Sequence, residues 1–165
     1  MEKTDFSVPY HSSSELLPGQ EISVKDLDFY ALLRRQSSNG SLYFNQRRAV
    51  IFDTEALGTL RQQLIDTLGK ELAMGVLTRF GYTHGYNDAK TLGENFDWET
   101  ETDWLAAGPS IHTLEGIVHV TPEKTEFDRE TGAFFMQGIW LNSYEAEEHL
   151  KRYGPGDHPV CWTLT

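Results

Sequence analysis

The sequence predicts an α+β fold in which antiparallel strands and hairpins pack with several helices. Three observations support this. Leu57, Leu60, Leu64 and Leu68 recur at three- and four-residue steps, the stripe of a helix packed on a core. Two short apolar runs, Leu42 to Phe44 and Ala49 to Phe52, flank the polar Asn45-Gln46-Arg47-Arg48 and read as a hairpin. From Ile117 to Leu141 the apolar period becomes two, around the turn-forming Asp128-Arg129-Glu130-Thr131-Gly132.

Residues 1–38 are expected to form an N-terminal arm and a short helix, and residues 39–165 the body of one domain. Up to Pro18-Gly19-Gln20 the chain is rich in serine and turn formers and reads as a poorly ordered arm. Val24, Leu27, Tyr30 and Leu33 then carry helical spacing over 22–33, and Ser37-Ser38-Asn39-Gly40 interrupts it. After the 42–52 hairpin, Asp53 is placed as a helix N-cap with Glu55 in the first turn, favourable against the helix dipole. Gly69 marks the C-terminal stop. A second helix is expected from Lys70, with Leu72, Val76, Leu77 and Phe80 inward, running past Gly81 towards Asp88. Residues 95–102 are acidic and read as loop, and 103–107 as a helical turn. Ile117 to Val120 and Lys124 to Phe127 read as strand, and so does Ala133 to Leu141. Ser143 then caps a helix whose buried edge is expected to be Tyr144, Leu150 and Tyr153. Gly154-Pro155-Gly156 ends that helix, and a final strand runs from Val160 to Leu164.

Composition limits the function. The chain has 165 residues, enough for one domain with a core of its own. A net charge of -11 argues against nucleic-acid binding, which needs a positive stripe. One cysteine, Cys161, excludes an internal disulfide and fits a reducing compartment. No apolar run approaches the roughly 18 residues of a membrane span. The start lacks a signal peptide's pattern, so the expected location is cytoplasmic.

The chemistry-bearing stretch is Gly108-Pro109-Ser110-Ile111-His112-Thr113-Leu114-Glu115-Gly116, which sets one histidine among apolar neighbours just before the hairpin that carries Phe134, Phe135 and Trp140. An imidazole near an indole on an apolar frame suits a small aromatic molecule with one hydroxyl. Pattern alone more often means a satisfied core histidine and ordinary core aromatics. His84 and His119 have no companion at ligand spacing. Glu145 and His149 lie four apart on one helix face and read as a surface contact. Glu145, Glu147 and Glu148 read as a solvated helix start. Gly-x-Ser-x-Gly, His-Glu-x-x-His, Cys-x-x-Cys and a phosphate-cradling loop are all missing from the sequence.

Several blocks resemble one family: Leu42 to Leu68, Arg79-Phe80-Gly81-Tyr82-Thr83-His84-Gly85, the 108–116 run, Trp140-Leu141-Asn142-Ser143-Tyr144-Glu145, and Pro159-Val160-Cys161-Trp162-Thr163-Leu164. In order and spacing they are similar to the N-terminal sensor domain of the sigma-54-dependent, phenol-, toluene- and xylene-responsive transcription activators of bacteria. The resemblance covers residues 39–165. It implies a dimeric domain that binds an aromatic effector and thereby relieves repression of a following AAA+ ATPase. In the family a 4-vinyl-reductase-type segment follows the point matching Thr165, completing the pocket and carrying most of a structural zinc site. The chain thus resembles a sensor cut short.

By that resemblance, the polar pocket groups are His112 and Trp140, meeting the effector's hydroxyl. Phe134 is expected on the pocket wall. Leu105 and Gly138 stand where phenol sensors carry bulky aromatics, which predicts a wider cavity and a larger or substituted effector. Cys161 matches the first zinc ligand. One cysteine cannot make a tetrahedral site, so zinc requires ligands from elsewhere. Binding also has to be nearly complete: about seven non-hydrogen atoms yield at most about 10 kcal/mol, and micromolar affinity needs about 8 kcal/mol. Two other readings stand beside this one. The first is a dimerisation module in which the 42–52 hairpin exchanges strands and Arg47 and Arg48 bridge to acidic surface. The second is a reductase or isomerase acting on vinyl-phenolic substrates.

Overall fold

The computed structural model describes residues 16–36, 38–156 and 159–164. Expectations for residues 1–15 lie outside them. Strand β1 (Gln20–Ile22) opens the described chain, followed by a 3-10 turn (Val24–Asp26), the single-turn helix α1 (Phe29–Leu32) and strand β2 (Leu33–Gln36). The continuous helix expected over 22–33 is therefore broken, and the cause is local. Ser23 and Asp28 are both N-caps, accepting from the Lys25 and Tyr30 amides at 3.2 and 2.8 Å. Such side chains offer the backbone an alternative to helix continuation. This segment is not a detached arm, because Ile22, Leu27 and Leu32 are buried in the main core with Phe44, Leu92, Phe96, Ala107 and Ile111.

Strands β3 (Ser41–Phe44) and β4 (Arg47–Ala49) form the expected hairpin, and β2 adds to its other side in the order β2-β3-β4. The turn is only Asn45-Gln46, with φ of 47° and 61°. Two consecutive positive φ values make the tight turn whose twist matches paired strands, and asparagine tolerates it. Arg47 and Arg48 are thereby drawn into β4, while Val50, Ile51 and Phe52 leave the sheet and are exposed.

Helix α2 (Thr54–Leu68) is capped by Asp53, whose carboxylate accepts from the Ala56 amide at 2.7 Å. Gly69, at φ 81°, turns the chain into α3 (Lys70–Asn95), which runs unbroken through Gly81. The expected inward stripe of α3 holds at Leu77 and fails at its other positions. Ala73 and Leu77 are buried, whereas Leu60, Leu72, Val76 and Phe80 are exposed.

Residues 96–98, expected as loop, form β5 (Phe96–Trp98), parallel to β1 with Ile22 opposite Trp98. Helix α4 (Glu101–Leu114) extends far beyond the expected turn and carries the whole stretch from Gly108 to Leu114, Pro109 included. Around the proline, Ser110 Oγ donates to the Ala106 carbonyl and Thr113 Oγ1 to that of Pro109, at 2.9 and 3.1 Å. Strand β6 (His119–Phe127) pairs antiparallel with β7 (Phe134–Leu141), with a bulge between Pro122 and Lys124. Asp128 closes the intervening turn through the Glu130 amide and the Thr131 hydroxyl.

Helix α5 (Tyr144–Tyr153) docks on α2, and its buried edge matches the expected one only at the half-buried Tyr144. Glu145 and Glu148 are buried, and Leu150 and Tyr153 are exposed. Glu148 receives Lys151 and Arg152 at 2.7 and 3.2 Å and fills the space left by Gly58, where a Cβ would meet its Oε2 at 2.5 Å. The last described segment is a 3-10 turn (Trp162–Leu164) packed against α3, not a strand. Among the described residues the architecture is α+β, with antiparallel sheets, one parallel pair and five helices.

Candidate functional site

Helix α4 places the two predicted residues Leu105 and His112 on one face. Seven residues make nearly two full turns, about 10 Å along the axis. Ala107 and Ile111 take the opposing face into the core. The His112 imidazole is half-buried, and its pKa lies below the usual histidine value. Burial is the main cause and the nearby His84 adds to it, with Asp88 opposing. His112 is therefore held neutral, one ring nitrogen able to donate and the other to accept.

The end of α4 is stitched to the start of the β6–β7 hairpin. The His112 carbonyl accepts from the Ile117 amide at 3.0 Å, and Thr113 Oγ1 accepts from the Val120 amide at 3.2 Å. Val120 lies directly opposite Trp140 in the sheet. His112 and Trp140 are thus anchored at the same end of the hairpin, through backbone that the helix terminus holds. The expected third wall is not there. Phe134 is six residues from Trp140 along β7, about 20 Å at the rise of a strand, so a phenol-sized ligand cannot touch both. Phe134 instead lines a cavity of about 240 Å³ at the far end of the hairpin, with Phe127 and Phe135.

Gly138 shares the Trp140 face of β7. A Cβ there would lie 2.7 Å from the Thr121 carbonyl oxygen and 3.2 Å from Pro122 Cα. Close approach of β6 backbone at the bulge thus gives glycine at 138 a structural reason. The wider-cavity expectation then rests on Leu105.

Beside His112 lies a polar cluster that overturns the expectation that His84 has no companion at ligand spacing. His84 and Asp88 are one turn apart on α3, with Nδ1 to Oδ2 at 2.7 Å. Glu115, at the C-terminal end of α4, brings Oε1 within 3.6 Å of His84 Nε2. Arg47 Nη1 of β4 reaches Asp88 Oδ1 at 2.6 Å. The hydrogen bond to Asp88 raises the His84 pKa against the opposing effect of burial. Burial, reinforced by the Asp88 charge, pushes Glu115 up to about 7. The signal that could have found this group was the i, i+4 spacing of His84 and Asp88; the contribution of Glu115 is purely tertiary.

Among the described residues, His84, Asp88 and Glu115 are the His, Cys, Asp or Glu side chains that converge in a group of three or more, their ligand atoms within 4.8 Å of one another. A cation there would compete with the Arg47 guanidinium for Asp88, so the geometry suits an ion-pair relay. Cys161 is outside this group. Its Sγ lies 3.1 Å from Ser143 Oγ, a partner that zinc does not use, and the described residues do not fit a tetrahedral zinc site around it. Arg47, expected to bridge to another surface, is committed to Asp88 within the chain. Arg48 donates to the Leu42 and Ala49 carbonyls.

Residues 28–128 match the family described as activator of aromatic catabolism. The chain is similar to the phenol regulator MopR of Acinetobacter guillouiae, 33% identical over 128 residues, 78% of this chain and 23% of that protein. It is also similar to the transcriptional regulatory protein XylR of Pseudomonas putida, 26% identical over 137 residues, 83% of this chain and 24% of that protein. It thus spans about a quarter of the length of these curated relatives. Among solved structures it resembles the phenol-responsive sensory domain of the transcription activator PoxR, crystallised with phenol. The TM-score is 0.72 at 34% identity, over 81% of this chain and 66% of that one.

Proposed function

The chain belongs to the activator of aromatic catabolism family, and from this we propose that it is the effector-sensing part of a transcription activator, binding a small phenolic aromatic and signalling to a AAA+ ATPase. The observation that carries the reading is the neutral, half-buried imidazole of His112, on the α4 face shared with Leu105 and bonded through its own backbone to the strand opposite Trp140. A neutral imidazole can accept the phenol proton's hydrogen bond without taking the proton. In this reading the Trp140 indole N–H donates to the same oxygen.

Selectivity follows from what an unsuitable ligand leaves behind. A hydrocarbon ring would leave the half-buried His112 imidazole without a partner, at about 1–3 kcal/mol. No covalent step is needed, and the site is a binder rather than a catalyst. With a net charge of -11 the domain makes no nucleic-acid contact of its own. Among the described residues no helix is long and apolar enough to cross a membrane. The domain acts as a homodimer, a reading supported by the exposed Leu72, Val76 and Phe80 along α3 and by exposed Val50, Ile51 and Phe52 after β4.

Calorimetry with phenol, alkylated phenols, two-ring phenols and toluene tests the proposal, on wild type and His112→Ala. The variant is expected to weaken phenols roughly tenfold or more while leaving toluene unchanged. Equal losses for both classes would refute the role of His112, and tightest binding of bare phenol would refute the preference for larger effectors.

A further inference from the structure

Away from His112, a cavity of about 270 Å³ opens between α2 and α5, lined by Arg61, Lys70, His149, Tyr153 and Trp162. That volume is small beside the roughly 300–1,000 Å³ of drug-sized ligand pockets. Three of its side chains are Arg, Lys or His, no Asp or Glu among the described residues lines it, and the protein as a whole carries a net charge of -11. Concentrating positive groups in one concavity of an acidic protein requires an explanation.

Arg61 is the decisive residue. It is 5% exposed, and its guanidinium carbon sits 4.0 Å from the centre of the Trp162 ring. Stacking of this kind fixes the guanidinium plane and leaves its edges for acceptors. Nε and Nη2, which together form one edge, have no hydrogen-bond partner among the described residues. A buried cation with an empty edge is disfavoured unless an anion completes it. The buried carboxylate whose charge reaches Arg61 is Glu145, but its Oε2 accepts instead from the amide and hydroxyl of Thr163, both at 2.8 Å.

The Nε–Nη2 edge matches the two oxygens of a carboxylate, which accept a pair of parallel bonds. Trp162 and Tyr153 offer flat apolar walls beside it. We propose that this cavity binds a small aromatic carboxylate, its acid group on the Arg61 edge with Lys70 nearby and its ring against Trp162 and Tyr153. The edge is closed to water in this structure, so binding requires the guanidinium to shift over the Trp162 face towards the cavity. The site is separate from His112, and an acid made by oxidising an aromatic compound would be sensed independently of the phenol itself.

The test is calorimetry and thermal shift on the full chain with benzoate, set against benzyl alcohol (ring without charge), acetate (charge without ring) and inorganic phosphate. Benzoate is expected to bind saturably and more tightly than all three. Lys70→Gln, at an exposed position, is expected to weaken it severalfold, and Arg61→Met roughly tenfold or more. His112→Ala is expected to leave benzoate binding unchanged. The proposal fails if phosphate or acetate matches benzoate. It also fails if Lys70→Gln has no effect, or if His112→Ala abolishes benzoate binding while Arg61→Met retains it. Because the benzoate arm does not involve His112, its failure leaves the phenol-sensing reading standing, and the reverse also holds.

Discussion

Nη1 of Arg47 lies 2.6 Å from Oδ1 of Asp88, tying the β3–β4 hairpin to α3 through a carboxylate that is 9% exposed. Removing one partner leaves a buried charge that only His84 can compensate. Arg47→Ala is expected to cost about 3 kcal/mol in urea unfolding. With Asp88→Asn, a double-mutant cycle should return a coupling above about 1 kcal/mol; additive losses would show that the contact carries no energy.

Stability should fall as pH rises through the slightly acidic range. Glu115 is held at about 7, against an ordinary 4.5. Between those values the folded chain keeps a proton that the unfolded chain has released, so stability declines from pH 4.5 to 7, by on the order of 3 kcal/mol from this group. His84, raised by Asp88, acts in the same sense: its contribution is complete below 6.5 and is lost as pH rises through its higher folded value. His112, lowered by burial, acts oppositely, stability returning as pH rises towards 6.5. Glu115→Gln removes the first contribution and lessens the upward shift of His84, which the Glu115 charge helps to raise. Its urea midpoints from pH 5 to 8 should decline less steeply than those of wild type, and equal slopes would overturn burial of Glu115 as the cause.

Gly81 is needed for space, since a Cβ there would fall 2.0 Å from the Thr163 carbonyl oxygen. Ala is a better helix former than Gly by about 1 kcal/mol. Gly81→Ala should nonetheless destabilise by about 1–3 kcal/mol and shift Trp162 fluorescence as the C-terminal turn moves off α3. A more stable variant with unchanged emission would mean the turn does not pack there.

Gly138→Ala separates two accounts of that glycine. Strand approach at the β6 bulge predicts a loss of stability in the range of about 1–3 kcal/mol, with effector preference unchanged. A shift towards smaller phenols without loss of stability would restore the cavity-widening account.

Leu72, Val76 and Phe80 run along α3 at four-residue intervals and are exposed. Replacing all three by serine should lower the association constant in analytical ultracentrifugation while leaving the single-chain urea midpoint within about 0.5 kcal/mol. An unchanged association constant would remove this stripe from the dimer reading.

Local patterns were readable wherever the determinant is local. Asp53 caps α2, Asp128 closes the β6–β7 turn, and Gly69 and Gly154 adopt positive φ at helix ends. Long segments of consistent period, α2 and the β6–β7 hairpin, were legible for the same reason. The continuity of α4 was not, because proline and two glycines between 108 and 116 imitate a break. Its Ser110 and Thr113 hydroxyls back-bond to carbonyls one turn earlier.

Which face of a helix is covered is a different kind of question. Apolar residues at 72, 76 and 80 and acidic residues at 145 and 148 define two faces in the sequence but not the neighbour each face meets. Gly58 admits Glu148, and Ala73 and Leu77 are the side chains turned inward. The sequence by itself determined the α+β class, most element positions and the resemblance to the family. Only the tertiary structure decided that Arg47, His84, Asp88 and Glu115 form one cluster, that Phe134 lies far from Trp140, and that Arg61 is buried without an acceptor. Capping and periodicity act within a few residues of chain, whereas burial and ion pairing depend on segments brought together from up to a hundred residues away.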